Sequence, residues 1–238
     1  MTSLSIILPT LNEESVLPRT LAALKSGDTG GRCELIVVDG GSMDSTVSLA
    51  RAAGAKVIES PRGRGRQMNA GAAAAMGGIL LFLHADTLLP ADFPYLIETA
   101  IGRPGTAGGA FSLAIDSPAA GLAAVAKLAN LRSRLLHLPY GDQALFTTRR
   151  MFATVGGFPE FVIMEDFVFV RRLGKLGKIV ILPEKATTSA RRWQNMGILR
   201  TTLINQIIVG GYCLGVSPLT LARWYQRLRG LGRARAEG

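Results

Sequence analysis

The first 84 residues constrain the fold more than anything else in the chain. Short, almost uninterrupted apolar runs alternate there with longer segments of helical character. "LSIIL" (4–8) reads as a strand and "ESVLPRTLAALKSG" (14–27) as a helix stopped by glycine. "ELIVVD" (34–39) is a second strand, followed by a helix over "MDSTVSLARAAG" (43–54) with Ala50 and Ala53 on its packing face and Gly54 as its stop. "AKVIES" (55–60) predicts a third strand, "GRQMNAGAAAAMG" (65–77) a helix and "ILLFLH" (79–84) a fourth strand. Strands alternating with helices in this way build βαβ units, whose strands run parallel. A parallel strand is covered on both faces, so it has no polar side, and these runs are apolar throughout. The sequence therefore predicts an α/β protein with a mostly parallel central sheet flanked by helices.

Beyond residue 100 the pattern changes. "TAGGAFSLAI" (106–115) predicts a strand, and "SPAAGLAAVAKLANLRSRLL" (117–136) a helix with Ser117 as N-cap and Pro118 in the first turn. "MEDFVFVRRLGKLG" (164–177) is helical in pattern. "SPLTLARWYQRLRG" (217–230) predicts a last helix with Leu221, Trp224 and Leu228 on one face and Arg223 and Arg227 on another. No repeat or low-complexity linker interrupts the chain. The expected organisation is one domain over 1–190 with a basic, helical C-terminal extension over 191–238.

With 238 residues, 48% of them hydrophobic, the chain can bury one sizeable core. Its 27 Lys and Arg outnumber 17 Asp and Glu, a net charge of +10 that attracts polyanions. Nucleotide phosphates, nucleic acid and an anionic membrane face are the candidates. Aromatics are only 6% and are not interleaved with arginines, so no stacking platform for single strands is apparent and no nucleic-acid partner is expected. Cys33 and Cys213 are the only cysteines. They make neither a disulfide framework nor a zinc cluster, which fits a reducing compartment. The N-terminus lacks the basic and apolar segments of a signal peptide, and "LINQIIVGGYCLGV" (203–216) is too short and too polar for a membrane span. The expected location is cytoplasmic. Two readings of the C-terminal segments stay open: they lie on the inner face of an anionic membrane, or they pack on the catalytic domain or a second copy of the chain.

Ligands of an open parallel sheet sit outside the carboxyl ends of its strands. Four polar loops converge there: "PTLNEE" (9–14), "DGGSMDST" (39–46), "SPRGRGRQMNAG" (60–71) and "HAD" (84–86). Asp39 can accept from a nucleobase N–H or a ribose hydroxyl, or it is a turn or cap aspartate. Arg62, Arg64 and Arg66 stand beside a helix N-terminus, a place suited to phosphate, although a basic glycine loop also reads as solvated surface. Asp86 is a candidate ligand for Mg²⁺ or Mn²⁺, since a hard cation shared with substrate phosphates needs few protein ligands. His84, two residues away, is either a further ligand, better suited to Mn²⁺, or a hydrogen-bonded histidine at a strand end. Glu165 and Asp166 are either a general base with its neighbour or an acidic pair favoured by a helix N-terminus.

Taken in order, "SIILPTLNEE…LIVVDGGSMDST…GRGRQMNAG…LLFLHADTLLP…GGF…MEDF" resembles the family 2 glycosyltransferases, inverting enzymes of GT-A fold, over roughly residues 3–175. The nearest flavour is the bacterial subgroup linked to arsenosugar biosynthesis and described also as diaponeurosporenoate-type. The resemblance implies a nucleotide-diphosphate sugar donor, UDP first, and Mg²⁺ or Mn²⁺ as cofactor. It implies a donor half over about 1–115 and an acceptor half over 116–190. Carried over, Pro9, Thr10, Leu11, Asn12 and Glu13 would line the nucleoside pocket and Asp39 would hold the base. Gly41, Ser42 and Asp44 belong to the second donor loop, Gly63, Arg66 and Asn69 to the third. Ala85 and Asp86 fall in the place of the family's D-x-D element, Asp86 as metal and diphosphate contact, with His84 where an aspartate is commoner. Asp166, preceded by Glu165, would be the base. Tyr140, Gly141, Asp142, Gln143, Gly157, Phe158, Arg192 and Trp193 would shape the side for a small or lipid-like acceptor. "RRW" (191–193) matches the Q-x-x-R-W element only in part, which argues against a processive synthase. The rival readings are a nucleotidyltransferase acting on a sugar phosphate and a non-catalytic basic protein binding nucleic acid.

Overall fold

The computed structural model describes residues 3–28 and 30–230. In chain order the elements are β1 (Leu4–Thr10), α1 (Leu17–Gly27), β2 (Cys33–Asp39), α2 (Thr46–Ala52), β3 (Lys56–Glu59), α3 (Arg64–Ala74), β4 (Ile79–Phe82) and β5 (Thr87–Leu88). They continue with α4 (Phe93–Ile101), β6 (Thr106–Asp116), α5 (Ala120–Leu136), a 3₁₀ turn (Gly141–Gln143), β7 (Leu145–Thr148), α6 (Arg149–Thr154) and α7 (Glu165–Leu173). The last are β8 (Lys178–Ser189), α8 (Arg191–Met196), α9 (Ile198–Cys213) and α10 (Pro218–Gly230). The part of the predicted extension beyond residue 230 lies outside the described residues.

One sheet of eight strands carries the fold in the order β3-β2-β1-β4-β7-β6-β8-β5. Its first half is the predicted parallel array: β1 pairs with β2 and β4, and β2 with β3, all parallel. The second half is mixed, with β7 antiparallel to both β4 and β6, β8 parallel to β6, and β5 antiparallel to β8. Parallel pairing in the first half follows from the helical crossovers α1, α2 and α3.

Each face of the sheet buries an apolar layer. Leu4, Ile6 and Leu8 of β1 join Leu17 and Leu21 of α1 on one side, while Ile7 joins Met68 of α3 and Phe82 of β4 on the other. The period of two along β1 puts successive side chains into opposite layers, so the whole strand must be apolar.

Three boundaries differ from expectation. The strand after α3 stops at Phe82, two residues short of His84. The long helix α5 begins after Ala119, not at Ser117, whose hydroxyl accepts the Ala119 N–H at 3.3 Å just ahead of the helix. β6 runs to Asp116 and holds that stretch extended. β8, which no sequence signal announced, crosses "LPEK" with a register shift opposite Phe111 and Ser112.

Candidate active site

The first two loops of the rim are sewn to each other. Asn12, at φ 53°, accepts the Met43 N–H on its side-chain oxygen at 2.9 Å and donates its own N–H to the Ser42 hydroxyl at 2.9 Å. The Thr46 hydroxyl accepts the Glu13 N–H at 2.8 Å, and Asp44 accepts from the Thr46 N–H at 3.0 Å and the Glu14 N–H at 3.2 Å. Asn12, Ser42 and Asp44, predicted to meet the donor, thus also brace these loops against each other. Asp39 is buried and accepts from the N–H groups of Gly41 (2.9 Å) and Ser42 (2.7 Å) and from the hydroxyls of Ser42 (2.5 Å) and Thr10 (3.3 Å). This is the turn aspartate of one reading. It also lines an open depression of about 490 Å³ together with Gly41, Ser42, Val47, Glu59, Ser60 and Pro61, as the other reading requires. Val47, Glu59, Ser60 and Pro61 were not singled out from sequence, although they lie where β3 runs out and α2 begins.

Asp86 and Asp166 do not line that depression; they stand farther along the same rim. Asp86 sits in the turn between β4 and β5. It is fixed by neighbours rather than delivered by the strand itself: Ser189 N–H donates to the Asp86 carbonyl at 3.2 Å, and the Thr20 hydroxyl donates to the Ala85 carbonyl at 2.7 Å. Ala85 is buried in the core, so it offers no surface to a nucleotide. Arg191, at the start of α8, donates to Glu13 at 2.8 Å and to Asp86 at 3.1 Å. Its guanidinium joins the first loop to the "HAD" turn. Sequence reasoning passed over this residue; its only signal was its place within "RRW".

Asp166 and His84 meet at Gly141. Asp166, in the first turn of α7, accepts the Phe167 N–H on one oxygen at 2.7 Å and the Gly141 N–H on the other at 2.7 Å. A β-carbon at Gly141 would lie 3.0 Å from His84 Nε2 and 3.3 Å from Asp166 Oδ2, so a larger residue would press on both groups. Burial, then the positive charges of Arg64 and Arg192, push the His84 pKa down to about 3, and its imidazole is neutral. Beside it Glu165 is buried, with Arg64 at 3.8 Å. Burial, then the charge of Asp166, raises its pKa. Asp142 is likewise raised, by burial first.

The depressed His84 has a measurable consequence. An unfolded chain binds the proton near 6.5 that the folded chain refuses, so stability present above that pH drains away as the pH falls below it. Melting followed from neutral pH downwards should show this acid loss, and His84→Gln should flatten it. An unchanged slope in the variant would contradict a neutral imidazole.

Several expected acceptor and donor residues turn out to be framework. Phe158 is buried in a cluster with Phe82, Phe152 and Phe169, stacked on the last at 4.1 Å. Asn69 clamps its backbone from both sides, donating to the Phe158 carbonyl at 2.9 Å and accepting its N–H at 2.9 Å. Gly157, at φ 68°, leaves room for that clamp, since a β-carbon there would come within 2.7 Å of Asn69 Oδ1. Gly63 precedes α3, and Arg66 within it pairs with Glu160 at 2.8 Å, both largely exposed. Gln143 is fully buried, taking the Ser133 hydroxyl at 2.7 Å and donating to the Phe111 carbonyl at 3.0 Å. Trp193 is buried against Leu122 and Ala190. Tyr140 lies beneath the guanidinium of Arg132 at 3.5 Å, and Arg192 donates to Asn205 at 2.7 Å. The buried amide of Gln67, also missed, donates to the carbonyls of Thr10 and Val38 at 2.8 Å each and ties α3 to the rim.

A mixed sheet whose parallel half ends in a cavity-lined rim defines the class: this is a GT-A glycosyltransferase fold. Three solved structures share it. Staphylococcus aureus TarS (residues 1–349) superposes with a TM-score of 0.66 at 18% identity, over 87% of this chain and 64% of that one. The Pyrobaculum calidifontis mannosyltransferase solved with GDP-Man and Mn²⁺ gives 0.65 at 17%, over 98% and 74%. Glucosyl-3-phosphoglycerate synthase of Mycobacterium tuberculosis, solved with Mn²⁺, UDP and glucosyl-3-phosphoglycerate, gives 0.60 at 23%, over 77% and 70%. The sequence matches Glycosyl transferase family 2 over residues 5–135, and the chain belongs to that family. Among curated relatives, an uncharacterized glycosyltransferase of M. tuberculosis is 38% identical over 97 residues, 40% of this chain and 42% of its own length. A Mycobacterium bovis glycosyltransferase of PGL/p-HBAD biosynthesis is 39% identical over 107 residues, 42% and 41%. The chain thus spans less than half the length of these relatives.

Proposed function

We propose that this chain transfers a sugar from a nucleoside diphosphate sugar to an acceptor hydroxyl or carboxylate by a single, inverting displacement, with Asp166 as base for a hydroxyl acceptor. The observation that carries the reading is the carboxylate of Asp166, partly exposed and oriented by the Gly141 N–H on the same rim as the Asp86 turn and the Asp39 depression. Neighbours solved with UDP or GDP-Man support a nucleotide in that depression, UDP first. The motif order favours the arsenosugar-type subgroup.

The donor set fits a divalent cation in one respect. Asp86 already holds a positive charge, the Arg191 guanidinium, on its accessible oxygen. Among the described residues no group of three or more His, Cys, Asp and Glu gathers. A hard ion completed by diphosphate oxygens needs only one or two carboxylates. Asp86 would hold it, and Mg²⁺ or Mn²⁺ would there supply charge to the departing diphosphate. His84, whose Nε2 faces Gly141, belongs to the Asp166 side and suits orientation of the acceptor more than ligation.

The residues then divide the work. Asp166 takes the proton of the acceptor hydroxyl as its oxygen bonds the anomeric carbon, and the bond from that carbon to the diphosphate breaks on the opposite face. Burial, then the neighbouring Asp166 carboxylate, holds Glu165 toward its neutral form. Arg191 places a cation where negative charge grows on the leaving group. The acceptor is small or lipid-like, and the location consistent with this reading is cytoplasmic.

A melting panel of UDP and GDP with and without Mn²⁺ tests the donor site, because a ligand that binds only the folded chain raises Tm. A rise with one diphosphate, increased by Mn²⁺ and reduced to the metal-free rise in Asp86→Asn, is expected. No response to either nucleotide would overturn the donor assignment.

A further inference from the structure

The structure assigns α5 and α9 to the surface of an anionic lipid bilayer, on which they lie without crossing it. Leu128, Leu131 and Leu135 follow one another at helical spacing along α5 and are 65%, 53% and 68% exposed. On α9, Leu199 and Leu203 are 87% and 62% exposed, and Leu214 just after it 87%. Intervals of three and four place Leu128, Leu131 and Leu135 on one face of α5, and an interval of four places Leu199 and Leu203 on one face of α9. The opposite face of α9 is spent: Ile204 and Ile208 pack with Phe167, Val168 and Leu221. The two helices adjoin, since a β-carbon at Gly121 of α5 would lie 3.1 Å from Ile198 at the head of α9. Two neighbouring helices whose leucines are each more than half exposed exceed the scattered apolar residues of an ordinary surface.

Charge selects the occupant. Residues 117–141 and 185–230 contain no Asp or Glu at all. They carry basic residues, of which Lys127, Arg223 and Arg227 are exposed. A second copy of the chain would set these cations against their own symmetry mates, an unfavourable pairing. Anionic headgroups oppose them favourably while the leucines enter the acyl boundary. No helix among the described residues is long and apolar enough to cross a membrane, which leaves interfacial binding. The end of α5 leads within a few residues to Tyr140 and Gly141. On the reading proposed above, a lipid-borne acceptor would therefore emerge beside Asp166; the lipid contact itself does not depend on that reading.

Co-sedimentation of the full chain with vesicles decides the matter. Phosphatidylcholine vesicles containing phosphatidylglycerol should retain at least about tenfold more protein than phosphatidylcholine alone, the excess fading with salt. Leu128→Ser/Leu135→Ser/Leu203→Ser should lose about tenfold in vesicle binding with Tm and the nucleotide response unchanged. Should that variant melt lower, Arg223→Gln/Arg227→Gln serves instead, with a loss of about tenfold confined to anionic vesicles. Equal retention on both vesicles, or no effect of either variant, overturns the assignment. So does self-association of the parent chain that the leucine variant abolishes, since a second copy would then cover the face. Failure of the transferase reading would register in the nucleotide panel and leave these results untouched.

Discussion

Asp166→Asn is expected to lower turnover by about 100-fold or more while leaving donor binding intact. The amide oxygen can take the Gly141 N–H, now at 2.7 Å, but its NH2 cannot take the Phe167 N–H that the other carboxylate oxygen accepts at 2.7 Å, so the variant's own melting is followed beside its turnover. What it loses is the ability to take a proton. Turnover measured with saturating donor, beside a nucleotide melting shift that does not move, would isolate that loss. Should the Asn variant keep full activity, the base is elsewhere, and a nucleotidyltransferase, which has no need of this carboxylate, becomes the better account. Glu165 does not substitute for it: it is 4% exposed and faces Arg64.

Phe158→Ala should destabilise the fold by about 3–5 kcal/mol, the usual range for emptying a buried phenylalanine site. For a domain of this size that is a fall in Tm of roughly 10 °C. Three other phenylalanines surround the ring and would border the void, and Asn69 would still grip the backbone, which hinders collapse. A residue that merely lined the acceptor path would behave differently, raising KM with little change in melting. Denaturant or thermal unfolding of the variant therefore separates framework from contact surface.

The parallel half of the sheet was legible because its signal is local. β1, β2 and β4 are largely apolar runs bounded by glycine or polar turns, β3 a short Val-Ile core between Lys56 and Glu59, and helical segments alternate with them. β8 was not legible because its sequence carries Pro183, Glu184 and Lys185 in mid-strand. The strand absorbs them by skipping register against β6, between the pairs Phe111–Leu182 and Ser112–Lys185. Nothing in a linear reading announces such a skip. The same division holds at the site. Asp39, Asp86 and Asp166 were visible as carboxylates at the ends or starts of elements. What their neighbours do was not, since it depends on partners far off in sequence. Asn69 looks like a donor contact until Phe158 is found on both its polar atoms. Ser117 before Pro118 is a good helix start in isolation, but β6 extends to Asp116 and moves the start onward.

Arg191 reaches back 178 positions to Glu13. During synthesis the loop that carries Glu13 leaves the ribosome 178 residues ahead of its cation. The parallel layers can assemble in the interval, yet the mouth of the rim then bears two carboxylates without their shared counter-charge. A nascent chain halted ahead of residue 190 would carry both carboxylates and lack the residue that balances them.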